Sequence, residues 1–144
     1  MTDSLARPPK WFWWVSGFGL VWNLIGVAAF VAQMTMDLAS LPEAERLFFE
    51  STPLWATAAF GIAVASGVLG CVALLLRKSW AVPMLVLCIG GISVQIFHSL
   101  AMTNSIEIFG VAGLAQPIAV FVVAVLLTWF ARVSEQRGWM QAGA

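Results

Sequence analysis

The segment STPLWATAAFGIAVASGVLGCVALLL, residues 51–76, decides the fold, because its 26 consecutive residues include no charged side chain. A helix needs only about 20 apolar residues to cross the ~30 Å hydrocarbon core of a bilayer. Three more uncharged stretches follow the same rule, at residues 11–36, 79–106 and 108–131. The sequence therefore predicts an all-α membrane protein, an antiparallel four-helix transmembrane bundle with spans at about 11–36, 53–76, 79–102 and 108–131.

Composition agrees with this prediction. The chain is 61% hydrophobic and 10% charged, with a mean hydropathy of +0.93, whereas about a quarter of the residues of a soluble domain are charged. The connections are too short to hold a second folded domain, so residues 1–144 are predicted to form a single four-span membrane domain. The longest connection contains Ser40-Leu41-Pro42-Glu43, a capping-box pattern. It predicts a short amphipathic helix at about residues 41–51, on the outer side between spans one and two.

The charges are distributed unequally between the two ends of the predicted spans. If the spans alternate in direction, six of the seven basic residues fall on one side: Arg7, Lys10, Arg77, Lys78, Arg132 and Arg137. Because short cytoplasmic loops carry an excess of Lys and Arg, both termini are predicted to be cytoplasmic. Six tryptophans lie at the same predicted boundary and are interpreted as an anchoring belt: Trp11, Trp13, Trp14, Trp80, Trp129 and Trp139. Zero net charge gives no reason to expect a nucleic-acid partner.

Small residues in the second span suggest how the helices pack. Thr57, Gly61 and Ala65 recur every four residues, and Gly67 belongs to a second row. Small side chains at this spacing let helix backbones approach closely, which drives association where the solvent is itself apolar. Span two is therefore predicted to contact neighbours on two faces.

Five polar side chains inside the spans are the candidate ligand-binding residues: Asn23, Gln33, Gln95, His98 and Gln116. An unpaired amide is costly in hydrocarbon, so these side chains are expected to face the bundle interior or an aqueous cleft. Two interpretations stay open. The residues either form interhelical hydrogen bonds that fix the helix register, or line a pocket for a small neutral solute, which four spans enclose only by oligomerising.

A copper site is a minor alternative. Thioether and imidazole groups suit Cu(I), and His98 and Met102 share a helix face near the level of Met34 and Met36. Met also fills gaps in apolar cores, and one His with scattered Met is weak support for a metal site. No metal or other cofactor is therefore predicted. Neither a C-x-x-C pair nor a G-x-S-x-G, H-E-x-x-H or P-loop motif is present, so the protein is not expected to be an enzyme.

Several tracts resemble a group of small bacterial four-span inner-membrane proteins of unestablished function, which are often labelled sugar transporters. The resemblance covers nearly the whole chain. It rests on Trp22-Asn23-Leu24-Ile25-Gly26-Val27, Gln33-Met34-Thr35-Met36, Thr52-Pro53-Leu54-Trp55, Gly70-Cys71 and Gly138-Trp139. It implies a bacterial inner membrane and four helices, and lends little weight to sugar transport.

The sequence thus leads to two hypotheses about function. The first is an oligomeric transporter-like or channel-like protein for a small neutral solute, with Asn23, Gln95, His98 and Gln116 along a polar path. The second is a non-catalytic accessory or assembly subunit that packs against a larger membrane complex through span two. The expected partners are the lipid bilayer and either further copies of the chain or that larger complex.

Overall fold

The computed structural model describes residues 5–141, and the predicted all-α class is confirmed over that range. No strand forms among those residues. The six α-helices are α1 (Lys10–Thr35), α2 (Glu43–Glu50), α3 (Leu54–Leu75), α4 (Ala81–Ala101), α5 (Ser105–Phe109) and α6 (Ala112–Gln136), and a 3₁₀ turn covers Leu38–Ser40.

Four of these helices, α1, α3, α4 and α6, are long and apolar enough to cross a membrane. They contain 26, 22, 21 and 25 residues, so each reaches the length that a span requires. Many of their large apolar side chains are exposed, including Trp14 at 80%. An uncovered apolar surface of this extent suits a multi-pass membrane protein, whose surroundings are lipid.

The last span begins later than the sequence predicts. The expected start was residue 108, but α5 ends at Phe109 and α6 begins at Ala112. The break lies at Gly110, whose φ of +70° places it in the left-handed region that favours glycine. At its other end α6 continues past Arg132 to Gln136.

The helix α3 lies at the centre of the packing, against α1 on one side and α4 on the other, and α4 also packs against α6. Glycines allow the closest approaches. A Cβ on Gly91 of α4 would lie 2.8 Å from the carbonyl oxygen of Ala59 and 2.8 Å from the Cβ of Ala63, both in α3. The α3–α4 pair therefore depends on a bare backbone at Gly91.

Large side chains hold α1 and α6 together along what we call the α1–α6 seam. The rings of Phe12 and Phe130 lie 5.5 Å apart, and those of Trp11 and Phe130 lie 5.7 Å apart. Further along, Leu127 lies over Gly19. Among residues 5–141, aromatic ring pairs and contacts at glycines join α1 to α6 only between Trp11 and Gly19 of α1.

A hydrogen-bonded cluster joins the two chain ends to the α3–α4 turn, and we call it the terminal clasp. Arg77, with a φ of +58°, donates from Nε to the carbonyl oxygen of Trp139 at 2.7 Å. Its terminal guanidinium nitrogen donates to the carbonyl oxygen of Ala6 at 2.8 Å, and its own carbonyl accepts from the Gln141 amide. The beginning of α1, the end of α3, the beginning of α4 and the end of α6 therefore meet at one end. This end is called the termini side, and the end that carries α2 and α5 is called the opposite side.

Trp139 lies in the core of the termini side rather than in an exposed belt. Its side chain is 8% exposed, and its ring lies 5.5 Å from Trp11 and 6.0 Å from Phe12. The interpretation of Trp139 as a lipid anchor is therefore wrong, because the terminal clasp turns the chain back onto α1.

Candidate ligand site at the seam

Asn23 lies at the middle of α1 and is held between helices. Its Nδ2 donates to the carbonyl oxygen of Gly19 at 2.8 Å and to the Cys71 Sγ of α3 at 3.4 Å. Its side-chain oxygen lies directly over Gly67, where a Cβ would collide with it. This geometry matches the interpretation of Asn23 as an interhelical contact that fixes the register of α1 against α3.

A small cavity lies beside Asn23 at the seam. Its volume is about 10 Å³, close to the minimum that one water molecule needs. The cavity is too small for a solute, so the seam is nearly closed at this level. The lining residues are Trp22 and Asn23 of α1, Leu85, Cys88 and Ile92 of α4, and Val120, Val123, Ala124 and Leu127 of α6.

Gln95 and Gln116 lie about one turn from this cavity, toward the opposite side. Gln95 follows the cavity-lining Ile92 by three residues, and Gln116 precedes Val120 by four. At these spacings each amide shares a helix face with its cavity-lining neighbour. Gln95 is half-buried, Gln116 is exposed, and neither amide has a hydrogen-bond partner within residues 5–141. Asn23, Gln95 and Gln116 together form what we call the seam site.

Gln33 belongs to a separate cleft on the opposite side. The cleft has a volume of about 220 Å³ and no charged residue in its lining. Gln33 is half-buried and, like Gln95, has no hydrogen-bond partner in the described chain. The seven lining residues are Gln33, Met34, Met36, Leu38, Phe49, Thr52 and Thr57. Because Gln33 follows Trp22 by three helical turns, the cleft lies at the far end of the α1 face that lines the seam.

His98, three residues beyond Gln95 on α4, packs against α3 and lines neither the cavity nor the cleft. It is 4% exposed, and its ring meets the ring of Trp55 edge to face at 5.3 Å. Met102, one turn further, is 59% exposed. Met34 and Met36 do line one cleft, but no His is among its lining residues. Within residues 5–141, no group of three or more His, Cys, Asp or Glu side chains could hold a metal ion.

The small residues of α3 lie in three different surroundings. Gly61 lies beneath the Phe30 ring of α1, whose nearest atom is 3.3 Å from the position of a Cβ, and Gly67 lies beneath Asn23. Thr57 lines the cleft, and Ala65 is exposed. Gly61 therefore packs inside the chain, and of these four residues Ala65 is the one open to a partner.

Two features of the site's surroundings were missed by reasoning from the sequence. One is the terminal clasp. The other is the contact between α2 and α5, where the rings of Phe48 and Phe109 lie 5.2 Å apart. The adjacent aromatic residues Phe48-Phe49 were the available signal, but pairing between distant segments cannot be read from one sequence.

Comparisons of the chain with protein-family models, with curated proteins and with solved structures found no match.

Proposed function

We propose that this chain is a non-catalytic, transporter-like membrane protein that binds an uncharged ligand at the seam site and moves it across the bilayer. In this proposal α1, α3, α4 and α6 form an antiparallel bundle in a bacterial inner membrane. The excess of basic residues on the termini side supports a cytoplasmic position for that side, since short cytoplasmic loops are rich in Lys and Arg.

The observation that carries the proposal is the pair of unpartnered amides, Gln95 and Gln116, about one helical turn from the cavity of the seam. A primary amide offers both donors and acceptors, and leaving them unpaired in hydrocarbon is unfavourable. A ligand that pairs with them is stabilised. Within the predicted spans, residues 11–36, 53–76, 79–102 and 108–131, no side chain is charged. A charged ligand would therefore have no counter-ion at this depth.

The seam is not enclosed within one chain. Gln116 is exposed, and the cavity beyond it holds about one water molecule. The remaining wall must come from the ligand, from lipid or from another copy of the chain. The proposal therefore keeps the homo-oligomer that the sequence suggests.

We further propose that α2 lies on the outer surface and borders the cleft at Gln33. Phe48 packs against Phe109 of α5, and Phe49 lines the cleft. Glu43 and Glu50 are exposed, and Glu50 lies 3.8 Å from Arg46. Phenylalanine rings packed against the rest of the chain, together with exposed carboxylates, fit an interfacial helix.

Solute flux into proteoliposomes tests the proposal. Vesicles that contain the purified protein would be exposed in turn to glycerol, erythritol and sorbitol gradients, and their swelling followed by stopped-flow light scattering. Flux of at least one solute is expected above that of protein-free vesicles. The flux should fall about tenfold in each of Gln95→Leu and Gln116→Leu. The reason is that losing about 1.4 kcal/mol of ligand-binding free energy weakens binding tenfold.

Gln136→Leu is the matched control, because Gln136 lies on the same helix as Gln116 but at its far end. It should keep the flux of the unchanged chain. The proposal fails if no solute crosses, or if both seam variants keep full flux.

A second candidate function is an accessory subunit of a larger membrane complex. It is favoured by the apolar side chains that are exposed along the whole length of α1 and α6, and by the exposed Ala65 of α3. Native mass spectrometry of protein extracted gently from its own membrane would reveal such a complex as a stoichiometric partner. Gly61 is not the residue to alter in that test, since it packs against Phe30.

A further inference from the structure

We infer that the termini side binds an anionic phospholipid of the adjacent membrane leaflet through its phosphate. The phosphate is bound by four basic residues that the terminal clasp brings together, which we call the clasp cations: Arg7, Arg77, Lys78 and Arg137. This lipid site lies at the end of the helices and is separate from the seam site, so the proposed transport neither requires it nor follows from it.

A backbone hydrogen bond brings the two chain ends together, and two arginines with them. The Ala6 amide donates to the Gly138 carbonyl oxygen at 3.1 Å. Arg7 follows Ala6 and Arg137 precedes Gly138, so each of these exposed arginines is one residue from the bond. The guanidinium of Arg77 donates to the carbonyl oxygen of Ala6 at 2.8 Å. Three arginines from distant parts of the sequence therefore converge at one backbone hydrogen bond.

The side chains of the α3–α4 turn keep free donors next to this bond. Arg77 donates from Nε to the carbonyl oxygen of Trp139 and from one terminal nitrogen to Ala6, and Nζ of the neighbouring Lys78 donates to the side-chain oxygen of Gln141. A guanidinium has five N–H donors and an ammonium group has three. Both side chains are half-buried and have no further acceptor within residues 5–141. The free N–H groups are suited to the oxygens of a phosphate.

The clasp cations lack a counter-ion from the described part of the chain. Glu135 is the one acidic residue that residues 5–141 place on the termini side, and it is exposed and forms no ion pair there. The ion pair that the described residues do form, Arg46 with Glu50, belongs to α2 on the opposite side. Cations that are brought together repel each other, and an anion between them removes that repulsion. The clasp therefore favours binding of an anion from outside the chain.

Apolar side chains next to the clasp cations favour a phospholipid over a soluble anion. Leu76 directly precedes Arg77 and is 59% exposed. On α1, Trp14 is 80% exposed and lies four residues beyond the exposed Lys10, so the two share a helix face. A soluble anion would contact the cations alone, whereas a phospholipid also places its acyl chains on the exposed apolar side chains.

The number of basic residues is also that of a lipid-binding surface. Lys10 and Arg132 are both exposed at the same end of the helices and add to the four clasp cations. Clusters of about four to eight Lys and Arg residues beside a membrane span are typical of anionic-lipid binding. The occupant that fits both the charges and the apolar surface is an anionic phospholipid.

Native mass spectrometry with two lipids that share their acyl chains tests this assignment. The full chain in a non-ionic detergent would be titrated with dioleoylphosphatidylglycerol, which is anionic, and separately with dioleoylphosphatidylcholine, which is zwitterionic. We expect each chain to retain at least one phosphatidylglycerol, at a concentration at least about fivefold lower than phosphatidylcholine requires. Glycerophosphoglycerol, the same anionic head without acyl chains, should not be retained.

Substitution of single cations tests where the lipid binds. Arg7→Gln and Arg137→Gln should each weaken retention of phosphatidylglycerol about fivefold, the contribution of one basic residue near an anionic membrane surface. Arg46→Gln is the matched control, because it removes the same charge from the opposite side and should leave retention unchanged. Circular dichroism would verify that every variant keeps its helix content.

Three results would overturn the lipid site. The first is equal retention of the anionic and the zwitterionic lipid. The second is retention that neither clasp variant weakens, or that Arg46→Gln weakens equally. The third is retention of glycerophosphoglycerol as strong as that of the lipid, because the ligand would then be a soluble anion.

Discussion

At the scale of single residues, two adjacent glycines of α4 lie in opposite surroundings. A Cβ on Gly91 would meet the backbone oxygen of Ala59 and the Cβ of Ala63, whereas a Cβ on Gly90 would meet nothing within 4 Å. Backbone atoms of a packed helix cannot move aside cheaply, so we expect Gly91→Ala to lower the free energy of unfolding by about 1–3 kcal/mol. SDS titration of the detergent-solubilised protein, followed by circular dichroism, measures this change.

The matched control is Gly90→Ala, which adds the same methyl group one position away. It should be neutral or stabilising by up to about 1 kcal/mol, because alanine is the better helix former. Equal destabilisation by the two substitutions would contradict the close α3–α4 packing at Gly91.

At the scale of elements, the segment after α6 closes the seam on the termini side. Trp139 packs against Trp11 and Phe12 of α1, and Arg77 binds its carbonyl oxygen. Truncation of a large buried aromatic side chain removes packing and leaves a cavity. We therefore expect Trp139→Ala to lower the free energy of unfolding by about 3–5 kcal/mol in the same SDS titration.

Trp14→Ala provides the comparison, because Trp14 is 80% exposed. It should change the free energy of unfolding by no more than about 0.5 kcal/mol in detergent. A loss at Trp14 as large as the loss at Trp139 would mean that the terminal clasp does not stabilise the end of the seam.

The elements differ in how far the sequence predicts them. The long helices follow from uncharged stretches, because only a hydrogen-bonded helix can carry so many apolar residues through hydrocarbon. The break at Gly110 was not predicted, since the uncharged run continues through it and the turn depends on one left-handed residue. The terminal clasp was not predicted either, because Arg77 and Trp139 are 62 positions apart and their hydrogen bond has no local signal.

At the scale of the whole molecule, the candidate site could be predicted in part. Polarity alone selects Asn23, Gln95 and Gln116, since amides are rare and costly inside spans. Polarity does not reveal that His98 packs against Trp55, or that Gln33 belongs to a separate cleft. Those placements depend on which helices are neighbours, and pairing between distant helices has no local signal in the sequence.

The central claim is that Gln116 faces a seam that is open to ligand, rather than plain lipid. Thiol labelling tests it most directly. Intact membranes that contain the Gln116→Cys chain or the Ala115→Cys chain would be treated with a charged, membrane-impermeant thiosulfonate. The reagent would be added on the opposite side, the side that carries α2 and α5. Cys71 and Cys88 are buried, and the unchanged chain supplies the background. Ala115 lies one residue nearer the start of α6 but on a different face, so depth alone would favour its reaction.

A hydrated thiolate is the nucleophile that attacks the thiosulfonate, forming a mixed disulfide and expelling a sulfinate, so we expect Gln116→Cys to react at least about tenfold faster than Ala115→Cys. Equal rates at the two positions, or faster reaction at Ala115→Cys, would contradict an open polar seam between α1 and α6.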